Sequence, residues 1–516
     1  MQSSNGIPHP TDRVTWLWLA IGAILLPFAN IQTVWPIAAW LSPVFLMRFC
    51  RTRPLKVGLP VILATQICAT AIGMRNDYTA IPAGPLLIGA ILVYGLLFWL
   101  PYLLDRLLVP HLPGVLRTLV FPLAAVTLNY LLLFTPFHTL GSPAYTQYGN
   151  LPLMQLVSLT GIWGLTFLIS WLAPVLNEVW ERGARSYVLS YSLLPFALVF
   201  VSVLVYGSAR LAFAPNVPTV RVAGLTPDRT VWSYLPVANI ARSSDAERSA
   251  LHPKLMQIVA ELLSRSRQEA LAGAKIITWS ETAAFVLQED EPTILEQART
   301  LAREEKIYLQ IGLMVIRQTQ QFPFGENRAI MIDPAGSTVW DYHKAFPVPT
   351  GDGQEITPGP AIIPIIQTPL GRLANMICYD LDWIPYPRQA GLAQVGLMLV
   401  PADDWLAIEN DHSNSAVYRA IENGFSMIRP TSKGISLAVD PLGRELARGE
   451  YYTTDRLTIV AEVPVQAIPT LYSQIGDVFA YASIIALITV TILGFANRQR
   501  VTIDFPLSWQ PHRSYQ

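Results

Sequence analysis

The stretch VLSYSLLPFALVFVSVLVYGSARLAFAPNVPTVRVAGL, residues 188–225, changes character in its middle. From 188 to 209 it is an apolar run of the roughly 20 residues that a helix needs to cross the hydrocarbon core of a bilayer. Ala214 to Pro218 is a Pro-containing linker. From Thr219 to Leu225 β-branched and apolar residues follow in the manner of a short buried strand. One side of the linker suits lipid and the other suits a layered fold in water. The chain therefore reads as a polytopic α-helical membrane bundle joined to an α/β domain.

Toward the N-terminus the same apolar signal recurs near 14–31, 33–49, 57–74, 82–104, 115–136 and 157–180, so that the run at 188–209 is the seventh span. An eighth lies near 475–497. The prolines between Pro27 and Pro36 leave open whether the first two runs form a tight hairpin or one broken element. No small-residue cleavage site follows the first run, which reads as a retained span. Over 516 residues the chain is 52% hydrophobic and 14% charged, against roughly 25% charged in soluble domains.

Lys and Arg collect in the loops that face the cytoplasm. Arg48, Arg51, Arg53 and Lys56 follow the second run, Arg106 and Arg117 flank the next even connection, and Arg182 and Arg185 follow the sixth. The odd connections hold almost none. An N-terminus inside puts residue 211 outside, and Arg498 with Arg500 returns the C-terminus to the cytoplasm. The expected division is a bundle at 1–213, an extracytoplasmic domain at 214–472, and a final span with a cytoplasmic tail at 473–516. Lys plus Arg equals Asp plus Glu at 36 each, which disfavours a nucleic-acid partner. Three cysteines without a CxxC or His/Cys cluster suggest neither a disulfide framework nor a metal, and no cofactor is expected.

Within the middle region, strands are expected at 219–225, 275–279, 307–313, 329–333, 338–342, 373–378, 397–401, 426–429 and 457–463. Helices are expected at about 246–270, 293–305, 385–394 and 412–423, with a long Pro/Gly loop from Pro347 to Pro360. Three expected strand ends each present one reactive side chain: Glu281 in Ile-Ile-Thr-Trp-Ser-Glu, Lys344 in Asp-Tyr-His-Lys, and Cys378 in Asn-Met-Ile-Cys-Tyr-Asp. A thiol with an ordinary pKa near 8.5 is mostly protonated at neutral pH, so a catalytic Cys gains from a base and a nearby cation. A Glu and a Lys supply both. The ammonium and the backbone N–H after the thiol can then hold the oxyanion of an acyl-transfer intermediate.

These residues, in this order, resemble the carbon-nitrogen hydrolase or nitrilase superfamily, with its Glu-Lys-Cys triad. Many spans, one such domain and one last span resemble more narrowly the apolipoprotein N-acyltransferase family. The resemblance includes Leu-Pro-Phe with Trp-Pro-Ile at 26–37, Gln155 to Phe167, Ile-Cys-Tyr-Asp at 377–380, Arg419-Ala-Ile-Glu-Asn-Gly, and Thr470 to Asp477. It implies an αββα nitrilase-like sandwich, and a thioester on Cys378 that takes an acyl chain from a phospholipid. It further implies passage of that chain to the amine of a diacylglyceryl-cysteine lipoprotein, at a bacterial inner membrane with the domain on the periplasmic side, by a monomer. Glu281 would be the base and Lys344 the oxyanion stabiliser, with Tyr379 and Asp380 shaping the pocket. Asp352 stands eight residues after Lys344, where the family has a Glu. The chain departs from the family at Ser280, where Pro is usual, and at Val348-Pro-Thr-Gly-Asp352.

Each residue also has a structural reading. A lone Cys ending an apolar strand is often a small core residue, Asp352 can be a turn former, and Asp380 a cap. Cys50, Cys68, His343 and His412 read as structural. The rival functions are a membrane-tethered amidohydrolase with the same triad and a non-catalytic lipid- or lipoprotein-binding protein. Apolar loops at 345–348, 361–366, 383–387 and 405–408 favour lipid substrates. Spans nearly free of ionisable residues at mid-depth disfavour transport.

Overall fold

The computed structural model describes residues 12–29, 34–75, 81, 83–135, 138–139, 141–230, 236–349 and 351–503. The expected tail at 504–516 and the side chain of Arg500 lie outside the described residues, as do residues 30–33 of the first connection.

The apolar runs of the first 212 residues form α1 (Asp12–Leu25), α2 (Pro36–Thr52), α3 (Leu55–Gly73), α4 (Pro85–Leu108), α5 (Leu116–Leu132), α6 (Ile162–Arg182) and α7 (Leu193–Ala212). The first two are a hairpin and not one broken element. They pack on each other, the Trp35 N–H donates to Phe28 O at 2.9 Å, and the rings of Phe28 and Trp35 stack at 4.5 Å. Among the described residues, five helices are long and apolar enough to cross a membrane: Leu55–Gly73, Pro85–His111, Ile162–Arg182, Leu193–Ala212 and Val478–Arg498. α1, α2 and α5 are shorter, at 14, 17 and 17 residues. The expected sixth run breaks at Gly161, whose φ of 63° ends a short helix and starts α6. The outer faces of α4 and α7 are strongly apolar and exposed, as at Ile88, Leu92, Leu198 and Val205, which suits contact with lipid tails.

The domain begins with β1 (Thr219–Leu225), then the long helix α8 (Asp245–Leu271), β2 (Ile276–Trp279) and β3 (Ala284–Leu287). α9 (Glu291–Glu305), β4 (Tyr308–Ile316), β5 (Gly325–Ile332) and β6 (Thr338–His343) follow. A second group comprises β7 (Ile365–Thr368), β8 (Gly371–Asn375), β9 (Leu397–Leu399), the two-residue β10 (Ala402–Asp403), α10 (Glu409–Asn423), β11 (Ser426–Arg429), β12 (Thr431–Ser432), β13 (Ile435–Val439) and β14 (Glu445–Glu450). β15 (Thr458–Pro464) returns to pair antiparallel with β1, and α11 (Val478–Ile503) re-enters the bundle beside α5.

Two mixed sheets result, ordered β15-β1-β2-β4-β5-β6 with β3 on β4, and β14-β13-β11-β9-β8-β7. They face each other through their apolar sides, with α8 and α9 covering the first sheet and α10 the second. This is the αββα sandwich expected beside the membrane bundle. Parallel central strands are buried on both faces, and every residue of β2, β4, β9 and β11 is buried. The sequence reading missed β3, β7, β13 and β14, and the two-residue β10 and β12. β14 is exposed along most of its length and carries charge at Glu445, Arg448 and Glu450, so it offers no apolar alternation to detect. The expected strand at 373–378 ends earlier, at Asn375, and Cys378 stands three residues beyond it.

Candidate active site

The parallel strands β2, β8 and β9 bring their C-terminal ends to one edge of the sandwich, where connections between layers must leave the sheets. Glu281 follows β2, Lys344 follows β6 and Cys378 follows β8, and all three are buried. The Lys344 ammonium lies 2.7 Å from Glu281 Oε1 and 2.8 Å from Asp352 Oδ2. Asn327 on β5 donates from Nδ2 to the same Glu281 oxygen at 2.7 Å. Asp352 is pinned in turn by the Val348 N–H, which donates to Oδ1 at 2.7 Å. The loop carboxylate is thus a direct partner of Lys344 and not a solvated turn residue. Where the related family usually has Pro, the Ser280 hydroxyl shares a hydrogen bond with that of Ser432, 2.7 Å away, tying the Glu281 turn to β12.

Cys378 and Thr282, the residue after Glu281, both adopt left-handed backbone, at φ 47°. That conformation costs a non-glycine residue on the order of 1–3 kcal/mol and persists only where surroundings enforce it. At Cys378 the enforcement is visible. Its N–H donates to Pro401 O at 2.9 Å, and Asp380 gathers the turn by accepting from the N–H groups of Ile377 (2.9 Å) and Phe346 (2.8 Å) and from the Tyr342 hydroxyl (2.7 Å). Asp380 therefore links the Cys378 turn to the segment after Lys344. Burial lifts its carboxyl to about 7 against the pull of these donors.

The charges decide the resting protonation. Burial first, then the Glu281 carboxylate, pushes the Cys378 thiol well above its ordinary range, and Lys344 only partly offsets them. Lys344 stays an ammonium because Asp352 and Glu281 outweigh its burial. The arrangement thus holds a thiol beside a carboxylate, which suits base-assisted attack. Glu281 Oε2 is buried without a hydrogen-bond partner among the described residues, which leaves one lone pair for that proton.

Beyond Cys378 lies a second polar group that sequence reasoning set aside as structural. Sγ is 3.9 Å from Asp404 Oδ1. His412 on α10 bridges Asp404 through Nδ1 (2.6 Å) and Asp382 through Nε2 (3.0 Å). Burial opposes its charge, but the two carboxylates prevail and lift its pKa to about 9. Cys378, Asp404 and His412 place their donor atoms within 4.8 Å of one another, a spacing compatible with a metal. The Arg429 guanidinium, 3.0 Å from Asp404 and itself fully buried, already supplies the cation there, and the group reads as a compensated charge network.

A cavity of about 660 Å³ opens from Cys378. Cys378, Tyr379, Asp382, Asp403 and His412 line it from the domain, and Pro85, Leu86, Gly89, Ala90, Val93 and Tyr94 from α4. Tyr379, placed in the pocket by sequence, does line it, whereas Asp380 lies fully buried behind. His138 also lines the cavity, from the connection between α5 and α6. Its Nδ1 is 2.8 Å from Leu133 O, and its ring lies against Trp383 and Tyr379. Burial lowers its pKa. No sequence signal pointed to it, because it comes from the bundle and shares a cavity with Cys378 only in three dimensions.

Residues 237–471 match the family model described as Carbon-nitrogen hydrolase. The chain thus carries a carbon-nitrogen hydrolase domain. The chain is similar to the apolipoprotein N-acyltransferase of Geobacter metallireducens, at 26% identity over 75% of each chain. It is similar also to the enzyme of that name from Rickettsia prowazekii, at 23% identity over 66% of this chain and 69% of the other. Among solved structures, it is similar to an amidase from Nesterenkonia sp., at 19% identity with a TM-score of 0.37, covering 52% of this chain and 98% of that one. The superfamily match lies wholly inside the α/β domain, while the two acyltransferase matches extend over most of the chain.

Proposed function

We propose that the protein transfers an acyl chain from a phospholipid, through a thioester on Cys378, to the N-terminal amine of a diacylglyceryl-cysteine lipoprotein. The observation that carries this reading is the wall of the cavity. A membrane-spanning helix, α4, faces the buried thiol across a space lined largely by apolar side chains. A small polar amide needs no such wall, whereas an acyl chain leaving a bilayer does. The similarity to enzymes named apolipoprotein N-acyltransferase supports the same reaction.

In the first half, the Cys378 sulfur attacks the ester carbonyl as Glu281 Oε2 takes the thiol proton. Lys344 stabilises the oxyanion, and the proton passes to the departing lysophospholipid oxygen as the C–O bond breaks. In the second half the acceptor nitrogen attacks the thioester, and sulfur leaves and recovers a proton through Glu281. Asp352 and Asn327 keep Lys344 and Glu281 in register for both halves, and one chain supplies every group invoked. The distribution of Lys and Arg supports a periplasmic domain at the inner membrane.

The test offers purified protein in detergent a phospholipid and a synthetic diacylglyceryl-cysteine peptide, with a Cys378→Ala control. The expected result is a peptide heavier by one acyl chain at its amine, absent from the control. Free fatty acid with an unchanged peptide would instead make the protein a hydrolase.

A further inference from the structure

Asp403 is a carboxylate in the cavity wall with part of its hydrogen-bonding capacity unused. It ends β10, and its backbone carbonyl is 3.8 Å from the Cys378 sulfur. One carboxylate oxygen, Oδ2, is 2.8 Å from the Lys433 ammonium. The other, Oδ1, is buried with no hydrogen-bond partner among the described residues. A buried acceptor without a donor is costly, and neither thiol attack nor the Glu281–Lys344–Asp352 cluster uses it. A cationic donor that enters the cavity is the natural partner.

The second half of the reaction brings such a group. An α-amine has an ordinary pKa of about 7.7–8.0, so the acceptor arrives largely as an ammonium, which has no lone pair for attack. Resting on the acyl-transfer reading above, we propose that Asp403 Oδ1 docks the acceptor's primary ammonium and removes the proton that must leave before nitrogen attacks the thioester. The ammonium gives one proton to Asp403. The freed lone pair forms the N–C bond, the C–S bond breaks, and sulfur departs with the electron pair. Glu281 takes the second N–H proton and returns it to sulfur, and Asp403 releases its proton to water.

The charged and titratable groups around Asp403 are Lys433, Glu281, Asp404, Tyr451 and Tyr452. Burial and the like charge of Glu281, against Lys433, lift its carboxyl to about 7. That is near the value at which a proton exchanges readily with an amine. Lys433 adds a charge that disfavours the ammonium form once docked.

The experiment loads full-length protein in detergent with an acyl chain from phospholipid, then chases with either the lipopeptide or methoxyamine, a nucleophile uncharged at neutral pH. Intact mass follows the loss of the adduct. Asp403→Asn is expected to carry the acyl chain and to lose it to the lipopeptide about a hundredfold more slowly at neutral pH. The deficit shrinks as pH rises past the amine pKa, and methoxyamine clears the adduct at close to the wild-type rate. Asp403→Glu, which keeps the carboxylate, recovers part of the lipopeptide rate. Equal slowing toward both nucleophiles, wild-type transfer to the lipopeptide at every pH, or an Asp403→Asn protein that takes up no acyl chain would each overturn the assignment. Absence of any adduct on the wild type would instead sink the acyl-transfer reading, and this assignment with it.

Discussion

At the scale of single residues, the candidate site leaves one carboxylate oxygen of Glu281 and one of Asp403 without a hydrogen-bond partner among the described residues. Glu281 spends Oε1 on Lys344 and Asn327 and leaves Oε2 unpartnered, while Cys378 is held in left-handed backbone with a thiol that burial keeps protonated. The neighbouring His412 is the opposite case, fully compensated by Asp382 and Asp404. Its pKa is raised to about 9 from an unfolded value near 6.5. The stability it contributes is therefore complete below about 6.5 and lost as pH rises through about 9. Thermal unfolding of the wild type in detergent should show midpoints that fall across that window, and His412→Gln should be less stable below it with a flatter alkaline slope. An identical alkaline slope in the variant would remove His412 from the account.

This scale also shows what a sequence can reveal about a site. Glu281, Lys344 and Cys378 were legible because each chemical type is unusual at the end of an apolar run and together they supply base, cation and nucleophile. Asp352 was half-legible, since its loop is turn-like and only the fold brings it to Lys344. His138 and Asp403 were not legible. Neither has a local pattern, and their meaning comes from facing Cys378 across long stretches of chain.

At the scale of elements, α4 defines the cavity on its lipid side and α6 fixes the bundle to the domain. Gly89 on α4 lines the cavity, and a Cβ built there meets nothing within 4 Å. Gly89→Leu should therefore fold and insert normally while shortening the acyl chains transferred, because the added side chain occupies volume that terminal methylenes would fill at about 0.8 kcal/mol each. Mass spectrometry of products from a mixed-chain phospholipid pool checks this, and an unchanged distribution would place the acyl chain elsewhere. Gly161, at the start of α6, has φ 63° and would bring a Cβ to 2.6 Å from the Tyr472 ring. Gly161→Ala should lower stability by more than about 1 kcal/mol, read as a lower thermal midpoint. An unchanged midpoint would mean the contact relaxes freely.

The elements explain why the fold was partly readable. Apolar runs long enough to cross a bilayer and double-covered parallel strands leave strong local signals. Edge strands such as β14, whose residues are mostly solvent-facing, leave none.

At the scale of the whole molecule, three of the stretches that carried the family resemblance, at 155–167, 419–424 and 470–477, meet at one seam. Trp163 donates through Nε1 to Asp477 at 2.7 Å, and Tyr472 donates to the same carboxylate oxygen at 2.9 Å. The Ile162 N–H donates to Glu422 Oε1 at 2.9 Å, and Gln155 donates through Nε2 to Leu442 O at 2.9 Å. The Ile162 and Gln155 contacts join bundle to domain and are buried, where each unmade bond would be costly. Both α4 and the domain line the cavity, and neither part alone would enclose it.

The central claim is that this enclosed thiol is a relay for an acyl chain. Intact-protein mass spectrometry after incubation with phospholipid alone tests it most directly. The account predicts a gain of one acyl chain per protein, mapped to Cys378 and removed by hydroxylamine. A protein that never gains that mass while still acylating a lipopeptide, or an adduct that persists in Cys378→Ala, would contradict it.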